Sequence, residues 1–327
     1  MSEPLVLVTG AGGFIGSHLV EHLLSTGKRV RAFVRYSSSG GRGWLADIPK
    51  DRCAKLEVFQ GDICDARSVL AAAKGCTRIY HLAALIGIPY SYVAPESYVM
   101  VNVQGTLNIL EAARAEGVDR VIVTSTSEVY GTALFTPITE EHPYQAQSPY
   151  SATKIGADHL AISYHRSFNL PVTIVRPFNT YGPRQSTRAV IPTIITQALF
   201  AEKIHIGSRS PVRDMVYVKD TARGFCAIGD SKACIGEVTN LATGVGVTVG
   251  ELTDRIQQSL SKSLPVIEAT ERVRPEKSEV FTLLGSAEKA TRLSNWSAQV
   301  DLKQGLSETI DWFRTHTDAN SVGEYRV

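Results

Sequence analysis

The stretch from Leu5 to Leu24 constrains the fold more than any other. Leu5-Val-Leu-Val8 reads as a short buried strand, Thr9-Gly10-Ala-Gly-Gly13-Phe-Ile-Gly16 as a glycine-rich turn, and Ser17 to Leu24 as an amphipathic helix. A turn of this kind brings backbone N–H groups and a helix N-terminus up to a pyrophosphate, with glycine wherever a Cβ would collide. On its own the turn could be a plain tight connection. Between a strand and a helix it predicts a dinucleotide site, and with it an α/β fold built on a Rossmann-type, doubly wound parallel sheet.

The chain has 327 residues, 43% of them hydrophobic, enough for a large core in one lobe or in one large and one small lobe sharing a cleft. A net charge of +2 without a basic cluster argues against a nucleic-acid partner. No apolar run is long enough to span a bilayer, and the chain enters its first strand without a secretory leader, so a cytoplasmic enzyme with no membrane partner is expected. The five cysteines, at 53, 64, 76, 226 and 234, are odd in number and never in a Cys-x-x-Cys spacing. They read as reduced thiols, and neither a disulfide frame nor a metal site is supported.

Along the chain, strand and helix patterns alternate. A second strand, Arg29 to Val34, is followed by Arg35-Tyr-Ser37-Ser38 where NAD enzymes place an acidic residue for the ribose. An arginine there, helped by Ser37 or Ser38, can receive a 2′-phosphate, so the cofactor is NAD or NADP with a lean to NADP; Arg35 as a solvated strand-end charge is the competing reading. Gly61-Asp62-Ile63 ends a third strand, and Ile79-Tyr-His-Leu-Ala-Ala84 is the fourth, with His81 read as a satisfied core residue. Leu85 to Pro95 is expected to be a loop, and Val101 to Ala115 a helix. The β-branched run Val121-Ile-Val-Thr is a buried parallel strand that delivers Thr126, Ser127 and Glu128 to a crevice at its carboxyl end. Tyr150 and Lys154 then share one face of a helix that starts after Ser148-Pro149. An ammonium beside a phenol favours phenolate, lowering a reference pKa of about 10 towards neutrality, where Tyr can act as a general base.

After the strand Leu170 to Arg176 the alternation loosens. Helices are expected over 191–202, 219–229, 249–260 and 302–315, and strands over 213–218 and 237–242. Residues 1–178 would form the dinucleotide-binding domain; residues 179–327 would form most of a substrate lobe, with some segments returning to the first.

Gly10-x-x-Gly13-x-x-Gly16, Asp62, His81-Leu-Ala-Ala84, Tyr150-x-x-x-Lys154, Arg176-Pro-Phe-Asn179 and Arg213-Asp together resemble the extended short-chain dehydrogenase/reductase family, over essentially the whole chain. These are the nucleotide-sugar epimerases, dehydratases and decarboxylases. Within the family, Ile88-Pro-Tyr-Ser-Tyr92, Thr124 to Thr132 and Gly182 to Pro192 most resemble nucleotide-linked N-acetylglucosamine 4,6-dehydratases of the legionaminic-acid type.

The resemblance implies a tightly bound, recycled dinucleotide held by Gly10, Gly13, Phe14, Ile15, Gly16, Arg35, Ser37, Asp62, Ile63, Leu82, Ala83, Ala84, Tyr150, Lys154 and Pro177. It implies a nucleotide sugar held by Pro89, Ser91, Asn179, Arg184, Val190, Arg213 and Arg274. Tyr150 would take the 4-hydroxyl proton as hydride leaves C4, Thr126 would hold that oxygen, and Lys154 would grip the ribose. The 4-ketone acidifies C5, and Glu128 would remove that proton before the 6-hydroxyl leaves and hydride returns to C6. The better-known hexose dehydratases carry an Asp before this Glu as proton donor; here Ser127 stands in that place. The same Ser-Glu pair occurs in members resembling UDP-glucuronate decarboxylases. Decarboxylation, 4-epimerisation and a non-catalytic dinucleotide-binding regulator are therefore the alternatives to dehydration. A homodimer is expected too, the helices 101–115 and 150–168 pairing across a two-fold axis as a four-helix bundle.

Overall fold

The computed structural model describes residues 3–269 and 275–322. Its main sheet is parallel throughout. Strands β1 (Leu5–Thr9), β2 (Arg29–Arg35), β3 (Leu56–Gly61), β4 (Cys76–His81), β5 (Arg120–Thr124) and β6 (Val172–Pro177) are joined by β10 (Val238–Leu241) in the order β10-β6-β5-β4-β1-β2-β3. The order reverses between β1 and β4, and a crevice opens at the carboxyl ends of strands at such a switch point.

Strand periodicity sorts the core into two layers. Val6 and Val8 face the helices Phe14–Ser25 and Val218–Asp230, where Leu19, Val20, Leu23, Phe225 and Ile228 are buried. Leu5 and Leu7 face the other way, onto Val69, Ile109, Leu110 and Ala161 of the helices Ala66–Ala73, Gly105–Ala115 and Pro149–Phe168. Each such aliphatic side chain contributes about 1.5–3 kcal/mol on burial, so a one-residue slip in β1 would exchange the two layers at large cost.

The remaining strands are short: β7 (Asn179–Tyr181), β8 (Ile204–Ile206), β9 (Val212–Tyr217), β11 (Gly246–Thr248), β12 (Val266–Glu268) and β13 (Thr282–Leu283). β9 is their hub, pairing in parallel with β7 and β13 and antiparallel with β11. A third apolar cluster lies beneath it, formed by the helices Val190–Phe200, Val249–Ser259 and Leu302–His316 through Ile194, Leu252 and Phe313.

Two expected elements differ. The segment after β4 contains a short helix, Ile88–Val93, started by Pro89 in its first turn. The helix expected from Val101 begins instead as a widened π-turn, Val99–Gln104, before Gly105–Ala115. Asn102 explains the widening. Its amide donates to Leu85 O (3.0 Å) and Thr153 Oγ1 (3.0 Å) and accepts from Leu85 N (2.8 Å), so a long-range tie holds the turn open.

Candidate active site

Glycines shape the first wall of the crevice. Gly10 has φ +66°, and a Cβ there would lie 2.8 Å from Ala83 N; at Gly16 it would lie 2.2 Å from Gly10 O. Only glycine permits the turn to fold back on β4 and on itself. Gly13 then serves as the N-cap of Phe14–Ser25 with no side chain capping it, so the open end of the helix is left to the turn, a shape that fits a pyrophosphate.

Thr9 fastens this wall to the next strand. Its hydroxyl accepts from Leu82 N and Ala83 N, both at 3.1 Å, and meets His81 Nδ1 at 2.8 Å. On the far side of the ring Thr106 Oγ1 donates to Asn102 O, so it accepts from His81 Nε2 (3.1 Å). The imidazole therefore carries its proton on Nε2, and both nitrogens are satisfied. Burial, followed by the charge of Lys154, pushes its pKa down to about 3, which makes His81 a neutral structural residue.

The second wall is the carboxyl end of β5. Thr126 caps a tight turn, Ser127–Tyr130, by accepting from Glu128 N at 3.2 Å, and its hydroxyl also hydrogen-bonds the Tyr150 phenol. Ser127 is buried and Glu128 half-buried in the same turn. The helix that brings Tyr150 there starts at a defined residue. Ser148 and Ser151 form a reciprocal capping box around Pro149, and so set the first turn that carries Tyr150. Tyr98 packs edge-on against Tyr150 with ring centroids 6.3 Å apart, beside Ile88. Lys154 Nζ donates to Thr124 O at 2.5 Å.

The electrostatics correct one expectation. Burial dominates and raises the Tyr150 phenol, outweighing the hydrogen bond from Thr126, while the nearby Glu128 charge raises it further. Burial likewise pulls Lys154 down to about 8, with Asp158 the group that lifts it. The ammonium is directed at the carbonyl ending β5.

Other expected residues divide. Asn179 opens β7 with its Oδ1 buried and lacking a hydrogen-bond partner among the described residues, a polar atom suited to a ligand. Pro177 ends β6 and Val190 begins Val190–Phe200. Asp62 accepts from Cys64 N at 2.9 Å, and Ile63 is buried against Gly105. Arg35 is exposed at the end of β2, while Ser37 Oγ accepts from Gly41 N at 3.0 Å. Arg213 pairs with Glu279 at 3.4 Å. Pro89 sits at the start of Ile88–Val93.

Two residues point elsewhere. Arg184, at φ +69°, reaches back to Glu21 Oε1 (2.8 Å) and Ser17 Oγ (3.3 Å) on the first helix rather than across the crevice. Ser91 is fully buried and donates to Ile88 O at 2.7 Å, closing its own helix turn. Arg274 lies outside the described residues.

Three contributors escaped the sequence reading: Tyr98, Asn102, and a contact that ties together three segments distant in sequence. In that contact Tyr92 Oη meets Ser278 Oγ at 2.5 Å, and Ser278 Oγ donates to Gln147 O at 2.6 Å. It joins the segment after β4, the approach to the helix Pro149–Phe168 and the approach to β13.

The chain matches the model of the GDP-mannose 4,6-dehydratase family over residues 7–309. It is 34% identical to the low-salt glycan biosynthesis protein Agl12 of Haloferax volcanii, over 94% of this chain and 98% of that one. It is 33% identical to a UDP-glucose 4-epimerase of Mycolicibacterium smegmatis, over 94% and 98% of the two chains. Among solved structures, the dTDP-glucose 4,6-dehydratase DesIV of Streptomyces venezuelae with NAD bound superposes with a TM-score of 0.86 at 32% identity, covering 95% of this chain and 97% of that one.

Proposed function

This chain belongs to the extended short-chain dehydrogenase/reductase family of NAD-dependent nucleotide-sugar epimerases and dehydratases, and on that premise we propose that it is a 4,6-dehydratase acting on UDP- or GDP-linked N-acetylglucosamine. One observation carries the reading: a buried phenol, Tyr150, hydrogen-bonded by Thr126, with Glu128 in the same turn and a buried ammonium, Lys154, one helical turn on.

The dinucleotide, when bound, supplies the carbon that accepts hydride from C4 of the sugar and later returns it to C6. Tyr150 Oη takes the 4-hydroxyl proton, and Thr126 orients that oxygen. Lys154 binds the ribose and supplies positive charge beside the phenol. Glu128 removes the C5 proton, which the 4-ketone has made acidic, and the same carboxyl then protonates the departing 6-hydroxyl, since Ser127 is a poor acid; as hydride returns to C6 a proton from solvent adds at C5, and Tyr150 gives up the 4-hydroxyl proton to solvent, which restores both groups. Asn179 and Arg213 engage the nucleotide diphosphate, Arg213 by exchanging Glu279 for phosphate oxygens. Arg184 takes the role of a brace between the lobe beyond residue 178 and the first helix. Arg35, exposed where NAD enzymes hold a carboxylate, favours the phosphorylated cofactor; parallel titrations with NAD and NADP decide between them.

The exposed Phe168 ends one of the helices expected to pair, and the exposed Val99 and Met100 lie in the turn leading into the other, which supports a homodimer through a four-helix bundle. The site's chemistry and the absence of an apolar spanning helix among the described residues are in keeping with a cytoplasmic enzyme.

Mass spectrometry after incubation with UDP- and with GDP-N-acetylglucosamine tests the reading. Loss of one water from the sugar supports it. A stereoisomer of unchanged mass would instead favour 4-epimerisation, the activity named for the mycobacterial relative, and loss of carbon dioxide from a nucleotide-linked uronate would favour decarboxylation.

A further inference from the structure

The helix Pro149–Phe168 places Tyr150, Lys154 and Asp158 at successive four-residue steps, hence on one face. Asp158 is 1% exposed and is anchored from two neighbouring strands' ends. Ser125 Oγ donates to its Oδ2 at 2.9 Å, and Arg176, on β6, donates to the same oxygen through Nε (3.2 Å) and Nη2 (2.9 Å). Arg176 is itself fully buried, donating to Tyr130 Oη at 2.8 Å and to the Tyr144 hydroxyl, with its guanidinium over both rings. The other carboxylate oxygen, Oδ1, has no hydrogen-bond partner among the described residues. A carboxylate with one oxygen fixed three times over and the other unused is an oriented charge, and the buried cation one helical turn away is Lys154.

We propose that Asp158 is a positioning residue of the site: held by Ser125 and Arg176, its carboxylate keeps the ammonium of Lys154 charged and directed, and so preserves the grip on the cofactor ribose into the alkaline range. The inference rests on the reading that Lys154 binds that ribose. The groups facing Lys154 are few. Tyr150 and Asp158 share its helix, His81 from β4 is neutral, and β5 presents the carbonyl of Thr124. Among them Asp158 alone opposes the loss of charge that burial imposes, and Lys154 stands at about 8, where loss of Asp158 would be felt near neutral pH. An uncharged Lys154 would still pack, but it would offer the ribose hydroxyls a weaker donor.

The test is the NAD dissociation constant of the full-length protein, measured by calorimetry from pH 6 to 9.5. Wild type is expected to bind evenly up to about pH 8 and more weakly above it. In Asp158→Asn the same fall should begin about one pH unit lower, so that affinity at pH 6 is preserved while affinity at pH 8 drops about fivefold relative to wild type. Lys154→Ala separates the inference from the reading beneath it. Weak binding at every pH in that variant upholds the ribose contact, and unchanged binding overturns that contact and the inference together. If Lys154→Ala weakens binding but the Asp158→Asn curve superposes on wild type, or falls uniformly without moving along the pH axis, the positioning role is overturned and the pair is structural. Asp158→Asn leaves Arg176 without its counter-charge, so Asp158→Asn/Arg176→Gln serves if the single variant does not fold. The same displacement is expected from the double variant, and failure of both to fold overturns the inference.

Discussion

Two buried arginines on neighbouring strands make an instructive pair. Arg176, near the carboxyl end of β6, bonds a carboxylate and two phenols and lies over both phenol rings. Arg120, at the amino end of β5, uses one nitrogen to reach two carbonyls, Ile228 O (3.1 Å) and Ser231 O (2.9 Å). Its Nε and Nη1 are buried without hydrogen-bond partners among the described residues, and its register partner on β4 is another arginine, Arg78, paired with Asp230. Both side chains are nearly inaccessible. At the carboxyl edge the charges are organised around the helix that carries Tyr150 and Lys154; at the amino edge one of them caps a helix end and closes the bottom of the sheet. Burial of charge is thus no marker of function unless the partners are oriented towards something.

The largest effect that would break this contrast, if it failed to appear, is at Tyr150. Tyr150→Phe should lower turnover by about 10²–10⁴-fold with an unchanged circular dichroism spectrum, because only the proton acceptor is lost. Next comes Arg176→Met. It strands Asp158 as a buried, uncompensated charge and should cost about 3–5 kcal/mol in urea unfolding. A pH series sharpens the comparison at the same edge. The folded value of His81, about 3, lies below its ordinary 6.5, so the unfolded chain takes up the proton first as pH falls. The stability is whole above pH 6.5 and declines towards pH 3; for His81 alone the loss at pH 5 is about 2 kcal/mol, and His81→Gln should flatten that part of the urea-midpoint curve. The smallest effect belongs to Arg120→Met. Two bonds to carbonyls are lost, but two unpartnered N–H groups are removed with them, so a change of about 1 kcal/mol and an unaltered turnover are expected.

What could be read from the sequence follows the range of the interactions. The strand, glycine turn and helix of residues 5–24 are local, and so is the spacing of Tyr150 and Lys154; both announced the dinucleotide crevice and its family, and the comparisons support that identity. Asp158 stood at the next four-residue step, so its place on the face was legible, but its anchors Ser125 and Arg176 lie on other elements and only tertiary structure joins them. Arg184 shows the same limit. Its motif suggested a ligand, whereas the partner that holds it, Glu21, is far off in sequence. Strands such as β7, β8 and β13, two or three residues long, are too short to display alternation, and the lobe built on β9 was correspondingly indistinct.

The last strand of the main sheet, β10, pairs with β6 from Val238↔Ile174 to Leu241↔Pro177, yet β7 to β9 and two helices intervene in the chain. During synthesis β6 therefore leaves the ribosome with one flank bare, exposing a row of peptide groups until its neighbour arrives. Nascent chains halted within that interval are the species on which a chaperone would act, and a fragment ending after β6 would carry the same sticky margin permanently.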